Sequence, residues 1–213
     1  MGRHRGDAEA RLIRAALALL PRTGVSGLKV RQVAARAGVP LGAFTYYFHS
    51  RHEFCRRVLT ELYGGPFIRF DAAVAEQAGG SPVRRLRHMM AAMARFAREN
   101  RMLALTVLRD LLNGDPDVIG FMRWHFPLHM KQVHGLVTDC QRAGLIRRMP
   151  AAAAMSIIGA TVFAPSMEAA ILEHVGGIRA FAPLMRGILL TDRGLDERVD
   201  MALRALAPDR PRT

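Results

Sequence analysis

Arg31 and, a helix corner further on, Leu41, Gly42, Ala43 and Thr45 are the residues of this chain best suited to reading the surface of another molecule. A guanidinium presents parallel donors that fit a guanine edge or a phosphate. A threonine hydroxyl bonds a base or a phosphate, whereas Leu41 and Ala43 carry no donor and discriminate only through apolar contact, most naturally with thymine methyl groups. Gly42 lets a backbone come close. The expected preference is T at Leu41 and Ala43 and G at Arg31. This is recognition chemistry. The sequence has no Gly-rich phosphate loop, no nucleophile elbow and no paired carboxylates, so no enzyme is expected and no cofactor is called for.

Two short helices around a tight corner would position these groups. Val33, Ala34 and Ala37 recur at three-and-four spacing and predict a helix over 30–37 with one apolar stripe. Gly38 ends it, because glycine pays no Cβ penalty in the left-handed conformation that closes a helix. Pro40 cannot prolong the old helix but suits the start of a new one, predicted over 41–48. Its periodicity turns Phe44, Tyr47 and Phe48 inward and leaves Leu41, Ala43, Thr45 and Tyr46 outside. Two helices joined by a short glycine-bearing turn form a helix-turn-helix, whose second helix enters the major groove; most helix corners, however, bind nothing.

The run Ala37-Gly38-Val39, Pro40-Leu41, Gly42, Ala43-Phe44, Thr45-Tyr46-Tyr47-Phe48, followed by His49-Ser50-Arg51-His52-Glu53-Phe54, resembles the DNA-binding domain of TetR-family transcriptional regulators over roughly residues 7 to 60. The resemblance implies an all-α fold: an N-terminal three-helix DNA-binding domain, taken as 1–50, joined by a long helix to a helical regulatory and dimerisation domain over 51–213. It implies a base contact at Arg31, a major-groove contact at Tyr46, and backbone clamps at Tyr47 and Arg51. The chain departs from the family in having Pro40 and Leu41 where a hydroxyl residue and a lysine are usual, and Thr45 where a tyrosine is usual. Lys29 likewise stands where a capping threonine is favoured. The sequence preference is therefore this chain's own.

Charge agrees with a phosphate-facing head. The net charge is +13, and residues 1–63 carry 11 Lys+Arg against 4 Asp+Glu, while the remaining 150 carry 20 against 14. Lysine occurs only at Lys29 and Lys131, so composition bias explains arginine over lysine but not the local excess. Charge alone would also suit a nonspecific or architectural DNA-binding protein without an effector. Cys55 and Cys140 match neither a metal spacing nor a disulfide framework, and read as buried thiols rather than a redox switch. No signal peptide is visible, and the most apolar run, 151–167, is interrupted at Pro165 and closed by Glu168, so the expectation is a cytoplasmic protein without a membrane span.

Taken in order, residues 1–6 form a basic arm, either lying along a minor groove or a loose terminus. Asp7 caps a first helix expected over 8–20 and stopped by Pro21 and Gly24. Ser50 and Glu53 form a capping box that opens a long fourth helix. Gly64-Gly65-Pro66 should kink or end it, and Gly79-Gly80-Ser81-Pro82 separates it from a helix over 83–100. Further helices are expected over 102–112, from Pro116 to about Arg142 with a bend or break at Pro127, from Pro150 to about His174 with a bend at Pro165, and, past Gly176-Gly177, near 195–207. The tail 208–213 should fray.

Two heads on two half-sites need a homodimer. Ala153, Ile157, Ala160, Ala164 and Ile171 lie near one face and are small enough for close helix approach, across a two-fold axis or inside one subunit. Met89, Met93, Phe96, Phe121, Trp124, His125 and Phe163 belong to a Met- and aromatic-rich set that suits either an adaptable pocket for a small apolar effector or ordinary core. His125 and His129 are four apart on a helix face, but no third ligand is evident, and no metal is assigned.

Overall fold

The computed structural model describes residues 3–75, 80–175 and 181–209; among them there are eleven helices and no strand, an all-α fold. The chain divides into two compact units, Met1–Phe67 with Met102–His125, and Ile68–Arg101 with Phe126–Thr213. The first unit thus takes in more than the 50 residues assigned to the head from sequence.

That unit holds α1 (Arg3–Thr23), α2 (Val30–Ala37), α3 (Leu41–Tyr47) and the start of α4 (Arg51–Ala75). The second unit includes α5 (Pro82–Glu99). The rest of the first unit is α6 (Arg101–Leu112), whose first residue falls to the second unit, and the start of α7 (Pro116–Arg142). Leu12, Ala16 and Leu20 of α1, Val33 and Ala34 of α2, Phe44 of α3 and Phe54, Val58 and Leu59 of α4 make one buried cluster, which Val118 and Phe121 of α7 join.

α1 is longer than its sequence signals. It is helical from Arg3, so the basic arm becomes its first turn and Asp7, instead of capping, pairs with Arg11 and Arg14 at 3.5 and 3.8 Å; Met1 and Gly2 lie outside the described residues. Pro21 does not stop it, because a proline in a last turn forfeits a single amide bond; Gly24, at φ 71°, closes the helix by donating to Leu20 O at 2.9 Å. Gly64-Gly65-Pro66 does not end α4 either, which continues to Ala75. Each interior glycine costs only about 1 kcal/mol and Pro66 about 3 kcal/mol, and the helix carries through all three. α7 likewise runs undivided through Pro127.

The second unit contains α5, the end of α7, α8 (Ala151–Ile158), α9 (Ala164–Val175), α10 (Phe181–Ile188) and α11 (Asp192–Leu206). α8 and α9 are one continuous run joined by a π turn, Gly159–Phe163, just before Pro165. The proline ring crowds the carbonyl four residues back, and the wider turn absorbs that crowding where a bend was expected. Ala154, Ile158, Val162, Ser166, Ala169 and Ala170 are the buried stripe of this run, and the π turn packs on α5 and α11. By length and composition Ala151–Val175 is apolar enough to cross a membrane, which corrects the expectation that Pro165 and Glu168 disqualify it; 28% of its apolar window is buried inside the unit. α10 had no sequence signal. α11 is capped by Thr191, whose Oγ1 accepts from Gly194 N at 3.0 Å. A Cβ at Gly194 would stand 1.9 Å from Ile188 O, so only glycine fits there. Gly79, Gly176-Gly177 and residues 210–213 lie outside the described residues.

Candidate nucleic-acid interface

The corner between α2 and α3 is built by Gly38, at φ 63° and ψ 37°, with its N–H directed at Ala35 O (3.2 Å) while Val39 N donates to Ala34 O (3.1 Å). Lys29 opens α2 without a side-chain cap bond. α3 starts at Pro40, whose carbonyl accepts from Ala43 N at 2.9 Å.

What holds α3 is aromatic. Phe44 and Phe48, both buried, meet Phe54 of α4 at ring-centroid distances of 5.0 and 4.9 Å and each other at 5.4 Å, a closed triangle of tilted and edge-on rings. α4 is fixed against the same corner by its capping box. Ser50 Oγ accepts from Glu53 N at 3.0 Å, and Glu53 Oε2 reaches back to His49 N at 3.0 Å and His49 Nδ1 at 3.1 Å. Those bonds hold the Glu53 carboxyl below its ordinary pKa.

With its inner side spent on this triangle, α3 presents Leu41, Gly42, Thr45 and Tyr46 outward, Tyr46 at 60% exposure. Ala43 and Tyr47 are half-buried, and the Tyr46 and Tyr47 rings meet edge-on at 5.0 Å. Thr45 donates its hydroxyl to Gly42 O at 2.9 Å, which leaves the oxygen as an acceptor for an approaching donor. Arg31 is exposed on α2. Seven of the eight residues chosen from sequence thus belong to α2 and α3.

Arg51 is placed differently. Its Nη2 donates to Val25 O at 2.7 Å and Ser26 O at 3.2 Å, and its Nη1 pairs with Asp117 Oδ2 at 3.2 Å; Asp117 also bonds His52. The guanidinium therefore ties the α1–α2 loop to α4 and α7. The same loop is held from α6. Asp110, wholly buried, accepts from Val25 N at 2.6 Å and Ser26 Oγ at 3.1 Å. Sequence reasoning missed Asp110 and Asp117; an acidic residue in a helix pattern carries no mark of such a role.

The effector set is divided between the two units. Phe121, Trp124 and His125 lie in the first unit, and Met89, Met93, Phe96 and Phe163 in the second. Phe121 is core, stacked on His125 at 3.8 Å and edge-on to Tyr63 at 5.0 Å, and His125 Nδ1 bonds Phe121 O at 2.9 Å. Met89 is buried, whereas Trp124 is 80% exposed. Open hollows of about 260 and 380 Å³ are lined by Thr138, Gln141, Arg142, Arg148 and Met149 and by a set from α1 and α4, and neither includes an effector residue. The five residues assigned to a dimer face are none of them buried, and Ile171 is 45% exposed. Burial pushes the Cys55 thiol up to about 12 and the Cys140 thiol up to about 11, so both stay protonated at neutral pH.

Residues 12–58 match the family described as bacterial regulatory proteins, tetR family. The HTH-type transcriptional repressor KstR of Mycolicibacterium smegmatis is 31% identical over 116 residues, 54% of this chain and 55% of that protein. KstR of Mycobacterium tuberculosis is 28% identical over 111 residues, 51% and 49% of the two chains. The chain thus matches about half the length of these curated relatives. Among solved structures, the transcriptional regulator FadR from Bacillus subtilis, in complex with stearoyl-CoA, superposes with a TM-score of 0.68 at 16% identity, covering 93% of this chain and 97% of that one. A transcriptional regulator from Rhodococcus sp. Rha1 gives 0.60 at 21% identity, covering 93% and 97%. Residues 12–58 thus match the DNA-binding head of the tetR family, with its corner closed by Gly38, and the fold along nearly the whole chain is that of the solved transcriptional regulators.

Proposed function

We propose that the protein is a homodimeric repressor that binds a near-palindromic DNA operator and is released by a small apolar effector. The observation that carries this reading is the outer face of α3: Leu41, Gly42, Thr45 and Tyr46 exposed on a helix pinned from behind by the aromatic triangle, with Arg31 exposed on α2. Arg31 reads a guanine, Leu41 and Ala43 read thymine methyl groups, Thr45 accepts from a base-edge donor, Tyr46 bonds a base edge or a phosphate, and Tyr47 steadies the backbone. Arg51 serves the head from within, by holding the loop that precedes α2. KstR relatives named as repressors support negative control, and FadR, solved with stearoyl-CoA, supports an apolar effector.

The uncovered face of α8 and α9 supports the dimer. Ala153, Ile157, Ala160, Ala164 and Ile171 line the side opposite the buried stripe, and exposed Val175 continues it. Footprinting the intergenic DNA upstream of the gene should reveal two protected half-sites one helical turn or a multiple apart. Ile171→Arg should convert a dimer to a monomer by light scattering and weaken operator binding by about a hundredfold or more, because the second head no longer binds intramolecularly. A variant that stays dimeric and binds as the wild type would refute this interface.

A further inference from the structure

Arg198 of α11 is a buried cation without a counterpart. The residue is 4% exposed, and none of its three guanidinium nitrogens has a hydrogen-bond partner among the described residues. It belongs to the buried stripe Leu195, Val199, Ala202 and Leu206, on a helix that packs against α5 and the π turn. A charged group taken from water into apolar surroundings and left unpaired is costly, which is why buried arginines are almost always matched by a carboxylate or phosphate. Among the described residues no carboxylate is paired with it. Arg98, the other nearby cation, is already bonded to Leu190 O at 3.1 Å and Asp192 at 2.6 Å, and it repels Arg198. Glu168 attracts it but is exposed and makes no ion pair with it. Ser166 of α9 is fully buried too, with no hydrogen-bond partner for its hydroxyl among the described residues, and α9, like α11, packs on α5 and the π turn.

We infer that Arg198, with Ser166, is the anchor of a buried anion site in the second unit, and that its ligand is an apolar molecule ending in a carboxylate. The guanidinium fork presents two parallel donors that fit a carboxylate edge on, and the serine hydroxyl supplies a third. The surroundings select the rest of the molecule. Val162 of the π turn and Ala94 and Ala97 of α5 are buried in the elements packed on α11, so a strongly hydrated inorganic anion would lose its water with no apolar gain. An alkyl carboxylate gains on both counts. Met89 and Met90, buried on α5, give that interior flexible side chains able to repack round a chain. π turns recur at functional sites, and this one packs on α11. The site deepens the effector reading and rests on it only for the consequence of binding.

The test uses the full chain. Thermal melting and titration calorimetry are run with straight-chain carboxylates from hexanoate to palmitate, the matching alcohols, and inorganic sulfate, on the wild type, Arg198→Met, Arg198→Lys and Glu168→Gln. The site requires that at least one carboxylate raise the wild-type Tm by roughly 5–10 °C at about a hundredfold excess over its Kd, while its alcohol and sulfate do not. Arg198→Met should melt at or above the wild type without ligand and lose the response, and Arg198→Lys should keep a weaker one. No carboxylate response in the wild type overturns the site. An equal response in Arg198→Met, or a Glu168→Gln loss matching that of Arg198→Met, does the same. Operator affinity is read separately: carboxylate binding that depends on Arg198 but leaves operator affinity unchanged keeps the site and refutes the effector reading.

Discussion

Phe54→Ala is expected to lower the stability of the protein by about 3–5 kcal/mol in urea unfolding, the usual cost of deleting a buried phenyl ring. Phe54 is the α4 member of the triangle with Phe44 and Phe48 and is wholly enclosed, so the surrounding helices cannot close over the space without moving α3. The substitution removes no group from the outward face. Operator binding should nonetheless fall well beyond the fraction unfolded, because α3 is only seven residues long and has no intrinsic stability of its own. Phe54→Leu, which keeps most of the volume, should recover the larger part of both losses. A Phe54→Ala protein that folds with wild-type stability and binds as before would show that α3 is held by something other than these rings.

Asp110→Ala should cost about 2–4 kcal/mol, since it strands the buried Val25 amide and takes two bonds from an ionisable acceptor. The effect should be local before it is global. Hydrogen exchange at the Val25 amide, protected by a 2.6 Å bond to Asp110, should accelerate far more than exchange in the core of α4. Gly24 sharpens the expectation: a Cβ there would stand about 2.5 Å from the Asp110 carboxylate oxygens, so the loop is seated directly on this side chain. Arg51 grips the same two residues from the other side through their carbonyls. Unchanged Val25 exchange in Asp110→Ala would mean that Arg51 alone holds the loop.

The parts of this fold that were legible in the sequence are those governed by short-range chemistry. Gly38 marked the corner because a left-handed residue must close α2, and Ser50 with Glu53 marked the start of α4 because a capping box lies within four residues. The inward set Phe44 and Phe48 followed from periodicity alone. What was not legible depends on distant partners. Arg51 reads as a cation near a DNA-facing helix until Val25 and Asp117, 26 and 66 residues away, are brought to it. Asp110 meets Val25 across 85 residues of sequence. Breaker residues misled for a related reason: Pro21 and Gly64-Gly65-Pro66 weaken a helix locally, and in α1 and α4 the helix carries through. The Met and aromatic residues of the effector set were chosen by composition and helical spacing, and three fall in one unit and four in the other.

Binding to the gene's own upstream DNA against a scrambled duplex at physiological salt measures sequence-specific recognition by the outer face of α3 with Arg31. A preference of about a thousandfold or more for the native DNA is expected. Arg31→Ala and Tyr46→Ala, both at exposed positions, should lose much of that preference while retaining salt-dependent binding to either duplex and unfolding as the wild type does. Equal binding to both duplexes by the wild type, with a genome-wide pull-down that enriches no site, would mean a nonspecific DNA-binding protein instead of a sequence-specific regulator.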